Sequence, residues 1–158
     1  MRLRPVSDDE APRLRELRLA CLTADPAAFT STYEQESTRP DEGWTGWAAR
    51  SSAGVEQRTF IVTDDDDRWL GLALVRADDE RPSGAVINSM WVAPEARRRG
   101  AGQELLAACV GWAAEHGFSA VTLCVMRGND AALRLYEAAG FTVRNATREQ
   151  LSMTRPLP

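Results

Sequence analysis

The sequence predicts an α/β (α+β) fold, one domain over residues 1–158 with about six or seven strands interleaved with helices. Three observations carry that prediction. Ile87–Val92 is apolar enough for a buried strand, stops before Pro94, and leads through a glycine-containing turn into a segment of helical periodicity. Arg58–Thr63 and Trp69–Ala77 are strand-like and flank the polar connection Asp64–Asp67, which makes them an antiparallel hairpin. Phe141–Ala146 and Glu149–Arg155 alternate well enough for two closing strands.

Taken in order, Leu3–Val6 is a short first strand. Ser7-Asp8-Asp9-Glu10 has the Ser-x-x-Glu spacing of a capping box, and the helix it opens carries Leu14, Leu17 and Cys21 on one face until Asp25-Pro26 stops it. Ala27–Pro40 reads as irregular and holds Phe29, Tyr33, Glu34 and Glu36. Asp41–Ser51 reads as a second helix bearing Trp44 and Trp47, whose exposure would suit a homodimer contact. The hairpin and the polar loop Asp78–Gly84 precede the strand Ile87–Val92.

After Gly102, Leu105, Cys109 and Trp112 recur at i, i+4 and i+7, and Leu106, Val110 and Ala113 repeat that spacing one residue on. The result is a broad apolar helical face that belongs on the sheet. His116 falls in the last turn with Gly117 at the C-terminal cap, which gives the histidine a helix-end role. Ala120–Val125 is another buried strand. Arg127-Gly128-Asn129-Asp130 opens a helix that contains Tyr136 and ends at Gly140, and the last three residues show no evident structure.

Composition narrows the function classes. A content of 44% hydrophobic and 27% charged residues is ordinary for a globular domain, and the net charge of -4 argues against a nucleic-acid partner. Three cysteines at wide spacing and a single histidine build no zinc-ligand pattern, so no metal is expected and the cysteines read as reduced core residues. Four aspartates on one tight turn cannot converge on an ion, so Asp64–Asp67 reads as a solvated turn. The start lacks the apolar run of a signal peptide and no segment approaches the ~18 apolar residues of a membrane span, so no membrane partner and a cytoplasmic location are expected.

The chemistry concentrates where the central helix begins. A helix starting just after Arg97-Arg98-Arg99-Gly100-Ala101-Gly102 points its unpaired first-turn N–H groups and positive dipole end into the loop, and glycine lets another group approach that backbone. The dipole contributes only about 0.3–2 kcal/mol, so backbone N–H bonds and the three arginines would supply most of the hold on a phosphate. The letters match neither a P-loop, which needs Lys-Ser/Thr after its last glycine, nor Gly-x-Gly-x-x-Gly. Further on, Asn129, Ala132 and Tyr136 share one helical face at i, i+3 and i+7.

Val92-Ala93-Pro94 with Arg97–Gly102, followed about 27 residues later by Asn129-x-x-Ala132-x-x-x-Tyr136-x-x-x-Gly140-Phe141, resembles the GNAT family of N-acetyltransferases. The family's phosphate loop reads Arg/Gln-x-x-Gly-x-Gly/Ala, and Arg97–Gly102 matches it at every fixed position. The strong part of the resemblance covers Ile87–Phe141. It implies a GNAT-type mixed, mainly antiparallel central sheet with helices on both faces and a splay between the fourth and fifth strands. Acetyl-CoA would be the co-substrate. The resemblance further implies that backbone at Met90 and Val92 pairs with the pantetheine arm, and that the loop from Arg97, Arg98, Arg99, Gly100, Ala101 and Gly102 to Gln103 cradles the pyrophosphate. Asn129 and Ala132 would flank the arm, and Tyr136 would stand beside the thioester sulfur.

The implied reaction is direct attack of a neutral primary amine on the acetyl thioester, with a strand N–H near Met90 or Trp91 polarising the carbonyl and Tyr136 donating to the departing thiolate. Many relatives carry a carboxylate on the strand before the phosphate loop, whereas this chain offers Asn88 and Ser89 there. Glu34 is therefore the first candidate for the base. Phe29, Tyr33 and Glu36 are candidates for binding the acceptor, and acidic character near the cleft would favour a cationic small molecule or peptide amine. The competing reading is a non-catalytic acyl-CoA binding or sensing module.

Overall fold

The computed structural model describes residues 1–158. Seven strands form one sheet: β1 (Arg2–Pro5), β2 (Gln57–Thr63), β3 (Trp69–Ala77), β4 (Gly84–Val92), β5 (Ala120–Met126), β6 (Thr142–Ala146) and β7 (Gln150–Pro156). Their spatial order is β1-β2-β3-β4-β5-β7-β6, and every neighbouring pair is antiparallel except the parallel β4–β5. The α-helices are α1 (Ala11–Ala24), α2 (Tyr33–Ser37), α3 (Asp41–Ala53), α4 (Ala101–Glu115) and α5 (Asp130–Ala138). No helix is long and apolar enough to cross a membrane.

Most elements lie where the sequence predicts them, and the departures have local causes. The Ser7–Glu10 box forms, with Ser7 N donating to Glu10 Oε2 at 2.9 Å, and a single 3₁₀ turn over Asp8–Glu10 precedes α1. A second box lies inside the stretch expected to be irregular. Gln35 N donates to Thr32 Oγ1 at 3.2 Å and Thr32 N donates to Gln35 Oε1 at 3.0 Å, which is enough to nucleate the short α2.

Two apolar clusters cover the two faces of the sheet. On one face Val62, Val75 and Ile87 meet Leu105, Leu106, Cys109 and Trp112 of α4, with Tyr136 and Phe141 beyond. On the other, Ile61 and Leu72 meet Leu14, Leu17 and Cys21 of α1 and Trp44, Trp47 and Ala48 of α3. Trp44 and Trp47 are 2% and 5% exposed, so the ground for a homodimer contact at α3 falls away. Their i, i+3 spacing turns both indoles inward, where they stack with centroids 5.7 Å apart and Trp47 Nε1 donates to Thr59 Oγ1 at 2.9 Å. Cys21 and Cys109 are buried as expected, whereas Cys124 is exposed, because β5 turns it away from the core.

Two irregularities open the sheet. β4 and β5 pair only through Gly84–Ala120, Ala85–Val121 and Val86–Thr122, so from Ile87 onward β4 has no β5 partner and the strands splay. On its other side β4 carries a bulge, since Leu72 faces Trp91 while Leu74 faces Asn88, and Ser89 takes up the extra length at φ +57°. Gly71 makes room for that bend: a Cβ there would lie 2.8 Å from the Trp91 carbonyl oxygen.

Candidate active site

The loop between β4 and α4 is shaped by two left-handed residues, Arg98 at φ +61° and Gly100 at φ +89°. They turn the chain so that the six N–H groups from Arg98 to Gln103 donate to no backbone carbonyl, and the first helical bond of α4 is Glu104 N to Gly100 O at 3.0 Å. Six unpaired amides at the positive end of a helix of 15 residues are a donor set suited to an anion.

Arg97 lines the cleft and also supports the loop from outside. Its Nε donates to the Val92 carbonyl at 2.9 Å and its Nη2 donates to Asp25 Oδ2 at 2.7 Å, while the same oxygen accepts from Trp91 Nε1 at 2.7 Å. The guanidinium thus braces the loop against the end of α1. The Trp91 and Arg97 donors hold the Asp25 carboxyl below the usual carboxylate range. Arg98 lines the neighbouring cleft; Arg99 and Ala101 do not, the latter being 1% exposed with its side chain in the core.

The cleft has a volume of about 1050 Å³ and runs through the splay. Met90, Trp91 and Val92 of β4 form one wall and Leu123–Met126 of β5 the other, with Gly100, Gly102 and Gln103 at one end and Asn129, Ala132 and Tyr136 of α5 alongside. Asn129 caps α5 by accepting from Ala132 N at 3.3 Å, which fixes its carboxamide at the cleft. Tyr136 is 7% exposed, and burial, followed by the nearby Cys109, pushes its phenol up to about 12. At neutral pH it is a proton-bearing donor.

Of the residues expected to meet the acceptor, Phe29 and Glu36 line the cleft, while Glu34 and Tyr33 do not. The reason is rotational. Two residues along a helix turn by roughly 200°, so with Glu36 inward on α2, Glu34 faces solvent. Glu34 is exposed and outside the cleft lining, which speaks against it as the base, and Tyr33 is 48% exposed. Glu36 is buried between Arg39 Nη2 at 2.7 Å and Arg18 Nη2 at 3.3 Å.

The acidic cleft expected from the sequence is in fact basic. Arg18, Arg39, Arg50, Arg76, Arg97 and Arg98 line it against only Asp25 and Glu36. The signal in the sequence that could have found Arg18 is its place as a charged residue within the apolar stripe Leu14, Leu17, Cys21 of α1. His116 lies elsewhere, with its ring nitrogens at 2.8 Å and 3.0 Å from the Trp112 and Gly54 carbonyls, in keeping with its helix-end role.

The model of the acetyltransferase (GNAT) family matches residues 12–141, from α1 to Phe141. The chain belongs to the GNAT family. The mycothiol acetyltransferase of Acidimicrobium ferrooxidans is 32% identical over 110 residues, which is 66% of this chain and 36% of that enzyme, so the chain spans about a third of that relative's length. Among solved structures, a GCN5-related N-acetyltransferase from Kribbella flavida superposes with a TM-score of 0.81 at 24% identity, over 99% of this chain and 97% of the other. The PaiA N-acetyltransferase of Thermoplasma acidophilum, solved in complex with coenzyme A, gives 0.80 at 18% identity, over 99% and 98%. Both likenesses are of fold. In this GNAT chain the amide-lined loop, the splay and Tyr136 all fall inside the matched residues.

Proposed function

We propose that the protein transfers the acetyl group of acetyl-CoA to a primary amine by direct attack within a ternary complex. The observation that carries this is the set of six unpaired amides from Arg98 to Gln103, which opens onto the unpartnered edge of β4 and, through the cleft, onto Tyr136. The solved Thermoplasma relative, which holds coenzyme A, supports the cofactor.

In this reading the amides of Arg98, Arg99, Gly100, Ala101, Gly102 and Gln103 bind the diphosphate, with the Arg98 guanidinium beside it. The free edge of β4 at Met90 and Val92 takes the pantetheine arm as an added strand, and Asn129 and Ala132 close over it from α5. A β4 N–H near Met90 or Trp91 polarises the thioester carbonyl as the amine attacks. Tyr136 donates a hydrogen bond to the departing sulfur. With the phenol near 12 and a thiol near about 8.5, complete proton transfer would be uphill by roughly 5 kcal/mol, so the phenol stabilises the thiolate without surrendering its proton.

Glu36 is tied to two arginines and Asp25 to Arg97 and Trp91, and that leaves the cleft without a free carboxylate to act as base. The cationic lining compensates, because like charge disfavours a bound ammonium and lowers the cost of supplying the neutral amine. The test is a mixture of purified protein, acetyl-CoA and a panel of amines, read as release of free CoA thiol. Acceptor-dependent release is expected. Acetyl-CoA binding with no release from any amine would favour the acyl-CoA sensor and overturn the enzyme.

A further inference from the structure

We propose that the acceptor amine also carries a carboxylate, and that Arg18, with Arg50 at the rim of the cleft, holds that carboxylate; the inference rests on the acetyl-transfer reading above. Its ground is the Arg18 guanidinium. The residue is 5% exposed, lines the cleft, gives Nη2 to Glu36, and leaves Nε and Nη1 buried with no acceptor. Buried charged donors are almost always paired, because their lost hydration is otherwise not repaid. Two such donors on one cleft-lining group call for an acceptor atom, and a ligand that shifts a neighbouring side chain can supply it.

The surrounding charge supports a small anion. Glu36 is shared between Arg18 and Arg39, so the three side chains keep one net positive charge. Arg50 adds a second, since no ion pair in the structure involves it. Arg18 and Arg50 stand on α1 and α3, which pack on the sheet face opposite α4 and its amide-lined loop, so the diphosphate site does not account for them. The Phe29 ring lies over the Arg18 guanidinium at 4.8 Å and shields it, which strengthens a charge-assisted bond made there.

The arrangement also suits the amine. In water a neighbouring carboxylate keeps an ammonium protonated, and pairing that carboxylate with Arg18 cancels the effect, so the nitrogen is freed for attack. Acceptors with a second cationic group meet like charge instead.

The experiment compares N-acetyl amino acids with their N-acetyl carboxamides, titrated by calorimetry onto the CoA-loaded protein over small, apolar and aromatic side chains. These pairs differ in the carboxylate alone, with no amine to titrate. The expected result is at least one acid that binds about tenfold or more tightly than its amide, with that ratio falling toward one in Arg18→Gln and in Arg50→Gln. Arg50 is exposed, so Arg50→Gln carries the test where melting shows that Arg18→Gln does not fold. Equal affinity of every acid and amide, or no measurable binding of any acid, overturns the subsite. Selective acid binding without thiol release from the parent amino acids and acetyl-CoA leaves the subsite standing and overturns acetyl transfer.

Discussion

Tyr136 has two consequences that can be measured apart. In the proposed role of donor to the leaving sulfur it is expected to contribute about 10²-fold to turnover, so Tyr136→Phe should lower kcat by that order while the Kd for acetyl-CoA stays within about twofold. Thiol release and calorimetry on the same preparation check both halves. The second consequence concerns stability. The folded phenol titrates near 12 against about 10 in the unfolded chain, so its contribution is intact below pH 10 and is lost as pH rises through 12, by about 3 kcal/mol in all. Buried Cys21, raised to about 12, slopes the same way from a lower starting point. Denaturant melts from pH 9 to pH 12 should therefore fall less steeply in Tyr136→Phe than in the parent. At this scale the sequence was half legible. Tyr136 and Asn129 stand out by their spacing on one helical face. Glu34 and Glu36 look equivalent until a helix is known to run beneath them, and nothing in the letters tells which one turns inward.

At the scale of elements, the amide-lined loop depends on contacts from outside itself. Asp25 ties it to the end of α1 by accepting from both Trp91 and Arg97. Asp25→Asn keeps an acceptor for the indole but removes the charge facing Arg97. Discounted for its partial exposure, that change should cost about 1 kcal/mol of stability and weaken acetyl-CoA binding by roughly threefold to tenfold, as read by thermal melting and calorimetry. Gly71→Ala probes the neighbouring bend of β4. A Cβ 2.8 Å from the Trp91 carbonyl must push that backbone aside, so KM for acetyl-CoA should rise severalfold even though the substitution lies on another strand. The strand–loop–helix unit that these residues support was readable in the sequence, because apolar periodicity, Pro94 and the glycines are local signals. The bulge at Ser89 and the short α2 were not read. The first is set by pairing across strands, and the second hangs on one Thr-x-x-Gln box in a polar stretch.

For the molecule as a whole, burial on both faces of one sheet was legible as patterning, whereas the charge of the cleft was not. A chain of net charge -4 collects six arginines around one opening, drawn from α1, α3, β3, the link between α2 and α3, and the loop before α4. No window of sequence contains that sum. The narrow joint between the two parts of the sheet has a dynamic corollary. Within the sheet three residue pairs connect β1–β4 to β5–β7, so the outer ends of β4 and β5 are expected to breathe about the Gly84–Val86 end as blades do about a pivot. Deuterium uptake should accordingly be slow at Gly84–Val86 and Ala120–Thr122 with or without coenzyme A. Amides on the outward edge between Ile87 and Val92 should exchange quickly in the free protein and be slowed at least tenfold on saturation, whereas uniform protection along β4 in the free protein would mean that the pivot does not open.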